Sequence, residues 1–217
     1  MKKFILLAAC LTVLASGVFA LDKTIGGGLM YNAGFTNAKY EEYDDYFGSN
    51  DTFEMNIARN GFGLFAFFGV SQYFELNLGL LIKSPSTVEI KYTYDYGGGY
   101  KDSGTLKGTA DYLDDCVALQ LGTYFKYPIP ISTALVFFPT VGVDLELTLG
   151  GESDYFDWWS DFWIRAGVGL DIFLTERMFL RGHAIYGVAI PFGGEVDNFD
   201  SAIGHGLLIK FGIGWML

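Results

Sequence analysis

Ionisable and amide side chains recur inside otherwise apolar stretches of this sequence, where every second residue is bulky and hydrophobic. Acids and bases are both represented, so these side chains could pair with one another or line a narrow path for a small solute. His183 could titrate near neutral pH within such a group. The eleven residues are Glu75, Lys83, Gln120, Lys126, Asp144, Glu146, Arg165, Asp171, Arg181, His183 and Lys210.

A second group of residues lies in segments rich in acids and aromatic rings, about residues 37–55, 84–111 and 150–161. Tyrosine and tryptophan supply rigid, amphipathic contact area, so these segments predict a binding surface. The alternative is that these segments are solvated loops that bind no ligand, which would also be rich in acids. The predicted contact residues are Tyr40, Tyr43, Tyr46, Tyr94, Tyr100, Trp158 and Trp159.

Other chemistry has little support in the sequence. Asp44, Asp45 and Asp51 could offer oxygen ligands to calcium, but their spacing is not that of an EF-hand. No nucleophile motif, phosphate-binding loop or metal-ligand spacing is present, which predicts a protein that is not an enzyme and needs no cofactor. A formal net charge of −11 argues against nucleic acid as a partner.

The elements that carry these residues are best seen in the last fifteen residues, IGHGLLIKFGIGWML. Here one face is bulky and the other is small or polar, because side chains of a strand point alternately to opposite sides. Such an apolar strand at the edge of a soluble sheet would invite aggregation. A closed barrel in lipid removes the edge and requires an apolar outer face. The bulky face contains His205, Leu207, Ile209, Phe211, Ile213, Trp215 and Leu217.

Seven further segments alternate in the same way, and Phe65 and Phe67 fall on the inner face of the second. The predicted strands are about residues 24–36, 56–70, 73–83, 112–127, 132–149, 162–173, 178–190 and 203–217. Long connections follow the odd-numbered strands, the second of them containing a predicted β-hairpin, and short turns follow the even-numbered ones. Pro128 and Pro130 are expected to end the fourth strand, because proline cannot donate a backbone hydrogen bond to the sheet. An even strand number with all short turns at one end is typical of an outer-membrane barrel.

The first twenty residues predict a cleaved secretory signal peptide. Lys2 and Lys3 precede an apolar run, and Val18-Phe19-Ala20 is an acceptable cleavage site. A lipoprotein cysteine at position 10 and an uncleaved membrane helix are the alternatives. Cleavage leaves a single cysteine, Cys116, so the predicted domain of residues 21–217 must fold without an internal disulfide.

The terminal octet resembles the carboxyl-terminal assembly signal of bacterial outer-membrane β-barrels. That signal reads polar, any, Gly, any, any, aromatic or apolar, any, aromatic or apolar. Its fixed positions are occupied by Lys210, Gly212, Trp215 and Leu217, the last standing where the family usually has Phe. The chain thus resembles the small eight-stranded barrels of the OmpX, OmpW and OmpA-transmembrane-domain types.

The resemblance implies an all-β, eight-stranded, antiparallel, up-and-down transmembrane barrel in the outer membrane of a Gram-negative-type envelope. Its expected partners are outer-membrane lipid and the barrel-assembly machinery, and the chain is expected to be a monomer. Two functions remain open. One is an interaction or structural role in which the acidic, Tyr-rich loops meet a host or matrix ligand. The other is a narrow, OmpW-like channel for small solutes or hydrophobic molecules.

Overall fold

The chain forms a closed β-barrel of eight strands with a short β-extension at one rim. The computed structural model describes residues 23–44, 49–84, 86–95, 100–110, 117–149, 160–192 and 201–217, without side-chain detail at 42–44, 49, 50, 86 and 110. The strands are β1 (Thr24–Asp44), β2 (Ser49–Gly69), β3 (Phe74–Lys83), β4 (Ser86–Asp95), β5 (Lys101–Ala110), β6 (Val117–Lys126), β7 (Ile129–Ser132), β8 (Leu135–Leu149), β9 (Ser160–Phe173), β10 (Met178–Phe192) and β11 (Ser201–Met216).

Closure of the barrel follows from the two neighbours of β1, which pairs with β2 on one side and with β11 on the other. Around the ring the order is β1, β2, β3, β6, β8, β9, β10 and β11, and all pairings are antiparallel. This confirms the predicted eight-stranded antiparallel barrel. No helix among the described residues is long and apolar enough to cross a membrane.

The two ends of the barrel differ. The β2–β3, β6–β8 and β9–β10 connections, the start of β1 and the end of β11 lie at one end, called the turn end here. The opposite rim, the loop end, carries the remaining connections. Residues 1–22, 45–48, 85, 96–99, 111–116, 150–159 and 193–200 lie outside the described residues, so the signal peptide, Cys116 and parts of the predicted loops stay predictions.

The outer surface of the barrel is apolar. Along β10, Tyr186, Val188 and Ile190 are 54%, 44% and 54% exposed, while the alternating Ile185 and Ala189 are fully buried. From Leu180 to Ile190 the strand covers roughly 25 Å of height at about 3.3 Å per residue and about 40° of tilt, which matches the apolar band of outer-membrane barrels. At the turn end, stacked rings of Tyr73, Phe125 and Tyr127 form part of an aromatic girdle.

One predicted boundary was wrong. Residues 37–55 do not form a long loop, because β1 continues to Asp44 and pairs with β2 from Ser49 onward without a break in register. The predicted break at Pro128–Pro130 is confirmed, because β6 ends at Lys126, and the connection to β8 contains the short strand β7, which pairs with β8. Pro130 is tolerated there because β7 is a four-residue edge strand of the ring, where a missing backbone donor costs little.

The loop-end addition, called the extension here, comprises β4, β5 and the β1 and β2 segments beyond the rim. β4 pairs with β2 from Thr52 to Ala58, directly above the segment of β2 that pairs with β3. β5 pairs with β4 over ten residues. The hairpin predicted within residues 84–111 is therefore present and continues the barrel wall above the rim.

Candidate functional site

The barrel interior contains all eleven polar residues predicted to lie there, and ten of them are buried. Lys83, the eleventh, lies at the loop end with 10% of its side chain exposed. Nine of them form three groups, one near the turn end, one in the middle of the barrel and one near the loop end, whereas Gln120 and His183 form no ion pair with the described residues.

The turn-end group is organised by Arg181 on β10. Its Nε and Nη2 donate to Asp171 Oδ1 and Oδ2 at 2.7 and 2.6 Å, and its Nη1 donates to Glu75 Oε2. Since β3 and β10 stand four places apart in a ring of eight, the Glu75–Arg181 pair joins opposite walls. Lys126 Nζ donates to the same Glu75 Oε2 at 3.0 Å. A bidentate contact of this kind fixes the guanidinium orientation.

Lys210 extends the turn-end group through neutral partners. Asn77 Nδ2 donates to Glu75 Oε1 and Lys210 Nζ donates to Asn77 Oδ1, both at 3.0 Å. The Lys210 ammonium also lies 4.9 Å from the ring centroid of Tyr124 and 5.5 Å from that of Phe65. It forms no ion pair with a carboxylate of the described residues, so two aromatic faces and one amide oxygen stabilise its charge.

The middle of the barrel is held by Asp144 on β8. Arg165 Nε lies 2.7 Å from Asp144 Oδ2, and the Tyr124 hydroxyl donates to the same oxygen. The Arg165 guanidinium stacks on the ring of Trp163 at 4.0 Å. All four side chains are at most 1% exposed. Removing one charge here would leave the other unpaired in a low-dielectric interior.

The loop-end group closes the interior at the rim. Lys83 donates to Glu146, and Arg59 Nη1 lies 2.9 Å from Asp161 Oδ2. Arg59 Nη2 also donates to Thr36 Oγ1 at 2.7 Å. The Arg59–Asp161 pair again joins opposite walls, because β2 and β9 are four places apart in the ring. Asp161, which the sequence assigned to an acidic surface loop, is instead fully buried.

The charges inside the barrel nearly cancel. Among the described residues, six cations (Arg59, Lys83, Lys126, Arg165, Arg181, Lys210) face five carboxylates (Glu75, Asp144, Glu146, Asp161, Asp171), and each of these carboxylates is ion-paired. These eleven side chains carry a formal charge of +1.

Some interior polar atoms have no protein partner. Both ring nitrogens of His183, Trp163 Nε1 and Gln120 Nε2 are enclosed without a hydrogen bond to the described residues. The His183 ring meets Phe138 edge-on, with centroids 4.9 Å apart. Buried polar atoms of this kind are usually satisfied by internal water.

Aromatic rings seal the turn end. Phe65, Phe67 and Phe179 are buried inside, with Phe173 and Met216 packed against them. The inner faces of β1 and β11 provide the space, because Gly26 pairs with Gly214 there, and a side chain at either would collide with these rings. The glycines thus let bulky rings lie over the junction of the first and last strands.

The extension has two chemically different faces. Its inner face, which continues the inward parity of β1 and β2, carries four half-buried rings in contact. Phe53 meets Tyr40 with centroids 6.2 Å apart and Tyr94 at 5.8 Å, and Tyr94 meets Tyr92 at 5.2 Å. The outer face is polar and carries several ion pairs, among them Lys107–Glu89 at 2.7 Å and Lys101–Asp95 at 2.8 Å. The Lys107 ammonium lowers the pKa of Glu89 from its ordinary value, chiefly by hydrogen bonding.

The residues predicted to form surface contacts do not all lie in loops. Tyr40 and Tyr94 lie on strands of the extension and not in loops, whereas Tyr100 is 71% exposed. Tyr43 lies on β1, where the structure gives only its backbone. Tyr46, Trp158 and Trp159 lie outside the described residues, as does Asp45 of the calcium hypothesis. No group of three or more potential metal ligands occurs in the described part of the chain.

The residues of the predicted assembly signal occupy both faces of β11. Lys210 and Gly212 point inward, where Gly212 lies against Gly27 and the Phe65 ring. Trp215 and Leu217 point outward and are 48% and 69% exposed. A residue larger than glycine would collide with the backbone of Gly27 at position 212, the glycine position of the octet.

Sequence reasoning missed several interior residues. Arg59, Tyr124 and Trp163 each share the inward parity of a neighbouring residue that was predicted. Continuing the period-two count to Arg59 in β2 and back to Asp161 in β9 would have placed both inside. Their opposite-wall pairing had no sequence signal.

No protein-family model matches this sequence, and no curated protein does. Among solved structures, the chain is similar to the outer membrane protein OprG from Pseudomonas aeruginosa, with 12% identity, 93% of this chain and 98% of that chain covered, and a TM-score of 0.45. It is also similar to the outer membrane protease OmpT from Escherichia coli, with 9% identity, coverages of 93% and 100%, and a TM-score of 0.36.

A third similar structure is the translocator domain of the autotransporter NalP from Neisseria meningitidis, with 12% identity, coverages of 99% and 96%, and a TM-score of 0.26. At these identities the likeness concerns the fold alone. The strand order and the apolar outer surface of the chain itself are those of an outer-membrane β-barrel.

Proposed function

We propose that this chain is a closed outer-membrane barrel whose role is to present the extension at the cell surface, as an interaction or structural protein and not as an enzyme. The proposal rests on two ion pairs that cross the interior, Glu75–Arg181 and Arg59–Asp161. An eight-stranded barrel is only wide enough to be filled by its own side chains. Two contacts between opposite walls at two levels support an interior that is closed to a continuous aqueous path.

The orientation of the chain follows from the ends of the barrel. Outer-membrane barrels keep short turns on the periplasmic side and longer connections outside the cell. The extension, at the loop end, is then extracellular, where a host or matrix ligand is available. The apolar outer surface is in contact with outer-membrane lipid, and the barrel-assembly machinery is the expected route of insertion.

A narrow channel is the second candidate function. It is favoured by the enclosed polar atoms without protein partners, His183 Nδ1 and Nε2, Trp163 Nε1 and Gln120 Nε2, because internal water beside them would form part of a polar path. Such a path would have to open by breaking the rim pair of Arg59 and Asp161.

Planar-bilayer conductance of refolded residues 21–217 separates the two functions. A heat-dependent gel shift first establishes that the barrel has folded. We expect no discrete current steps from the folded protein. Reproducible steps that change cation preference in the Asp144→Ala, Glu146→Ala double variant would contradict the closed barrel and favour the channel.

The surface role is tested with a variant in which a short Gly-Ser linker replaces residues 86–110. We expect this variant to fold, because the eight-stranded ring is complete without β4 and β5. Bacterial cells displaying it should adhere to a surface coated with basement-membrane matrix less than cells displaying the intact chain. Equal adherence of the two would contradict an interaction role for the hairpin.

A further inference from the structure

A groove at the turn end of the barrel lies between the β7–β8 turn and the β9–β10 turn. Its volume is about 340 Å³, and its lining residues are Thr133, Ala134, Phe173, Leu174, Thr175 and Glu176. This volume is near the lower limit for ligand sites in proteins, so the groove suits a small headgroup better than a large organic molecule.

Both walls of the groove are held in place by hydrogen bonds. In the β9–β10 turn, Thr175 Oγ1 accepts from the backbone amides of Met178 at 2.9 Å and Arg177 at 3.3 Å. On the other wall, the backbone amide of Phe173 donates to Ala134 O at 2.8 Å. The groove is therefore formed before any ligand arrives, which reduces the ordering cost of binding.

The groove adjoins the turn-end edge of the lipid-facing surface. Leu135 of β8 pairs with Ile172 of β9 next to it, and Ile172 also pairs with Leu180, where the apolar band begins. Leu174 shares the outward parity of Ile172 and is 51% exposed. Since successive residues of a strand are about 3.3 Å apart, the groove lies just beyond the hydrocarbon, at the level of the lipid headgroups.

Glu176 gives the groove one negative charge. Its carboxylate forms no ion pair in the part of the chain that the structure describes, and it is exposed to solvent. Thr133 adds a hydroxyl, and Phe173 and Leu174 add apolar surface. A carboxylate beside apolar side chains at headgroup level complements a lipid that carries a primary ammonium, and it repels an anionic headgroup.

We propose that this groove binds the headgroup of a phospholipid with a primary ammonium, such as phosphatidylethanolamine, from the leaflet at the turn end. The ammonium donates to the Glu176 carboxylate, and an acyl chain lies along Leu174 and Ile172. A choline headgroup has the same positive charge but no N–H donor, and a glycerol headgroup has no positive charge. Both should therefore bind more weakly. The site lies at the opposite end of the barrel from the extension and goes beyond the proposed surface role.

The test is native mass spectrometry of the folded protein in detergent micelles that contain equal amounts of phosphatidylethanolamine and phosphatidylglycerol with the same acyl chains. We expect the ethanolamine lipid to be retained about fivefold more than the glycerol lipid, the ratio expected for a favourable exposed ion pair. Glu176→Gln should remove this preference. Phosphatidylcholine in place of phosphatidylethanolamine should be retained less by the unmodified protein.

The matched control is Arg177→Gln, which removes one charge from the neighbouring residue, and that residue does not line the groove. This variant should keep the preference for the ethanolamine lipid. Ala134→Leu, which narrows the groove without a change in charge, should lower retention of that lipid. An unchanged preference in Glu176→Gln would overturn the proposal, as would equal changes in the two charge variants, which would indicate a nonspecific electrostatic effect.

Soluble phosphoethanolamine distinguishes a lipid from a free amine as the ligand. It lacks acyl chains, so an equimolar amount should leave the lipid adduct unchanged, and displacement of the lipid would overturn the assignment. Neither bilayer conductance nor matrix adherence depends on this groove. Failure of the lipid test would therefore leave the proposed function standing, and failure of the adherence test would leave the lipid site standing.

Discussion

The ring of Phe67 lies over both Gly26 and Gly214, so one side chain of β2 covers the junction between the first and last strands. Phe179 reaches Gly214 from β10. Closure of the barrel therefore does not depend on backbone hydrogen bonds alone. It also depends on inward rings that pack against glycine backbones on both terminal strands.

Gly214→Ala should destabilise the barrel by about 1–3 kcal/mol, because the added methyl collides with the rings of Phe67 and Phe179 in a filled interior. The measurement is urea unfolding of the refolded protein, followed by tryptophan fluorescence. Gly182→Ala on β10 is the matched control, since a methyl there meets nothing within 4 Å. Equal midpoints for the two variants would show that the rings do not restrict this junction.

Arg181→Met should lower the free energy of unfolding by about 3–5 kcal/mol, because it leaves Glu75 and Asp171 without their shared guanidinium in a buried site. Arg177→Met, at an exposed turn, removes the same charge and should have no measurable effect. Thermal unfolding in detergent, followed by circular dichroism, compares the two. A stable Arg181→Met barrel would mean that the carboxylates find water or other partners.

Lys107→Met should raise the pKa of Glu89 towards its ordinary value, because the Lys107 hydrogen bond and charge hold that pKa down. A depressed carboxyl pKa stabilises the folded hairpin above the pKa of the unfolded chain, and this stabilisation is lost as pH falls through the folded value. The variant should lose part of that pH dependence on the acidic side, since Lys91 remains beside Glu89. Carboxyl-carbon NMR titration measures the shift, and Lys101→Met, which pairs with Asp95, is the control.

The exported protein should begin at Leu21, since cleavage after Ala20 removes the basic and apolar segment. Intact-mass spectrometry of protein extracted from an outer-membrane fraction tests this directly. A mass that includes a diacylglycerol group on Cys10 would instead identify a lipoprotein, and a mass that retains residues 1–20 would identify an uncleaved membrane helix.

The strands within the apolar band were predictable because each has one face towards the apolar exterior and one towards a polar interior. From Phe74 to Ile82 this requirement produces strict alternation, and β3 begins and ends within two residues of the prediction. The inward positions of Glu75, Asp144 and Arg181 follow from the same parity.

The extension was not predictable by that rule because the polarity of the two faces inverts at the rim. Below the rim, β2 turns Phe62 outward and Arg59 inward, and above it Glu54 points outward and Phe53 inward. Residues 37–55 are acidic and Tyr-rich, and their alternation of apolar and polar residues changes, which is typical of a loop. Only the continuous pairing of β1 with β2 shows that residues 37–44 and 49–55 lie in strands. Partners across the barrel, such as Glu75 and Arg181, depend on strand stagger, which sequence alone does not provide.

The inversion of polarity at the rim also determines how deeply the barrel sits in its membrane. Moving the barrel outward by one residue pair would bring Phe62 of β2 into water, and moving it inward would drive Asn60 of β2 into hydrocarbon. Both displacements are unfavourable, so β2 restricts the depth of the barrel in the bilayer. The extension is thereby held at a fixed height above the lipid surface.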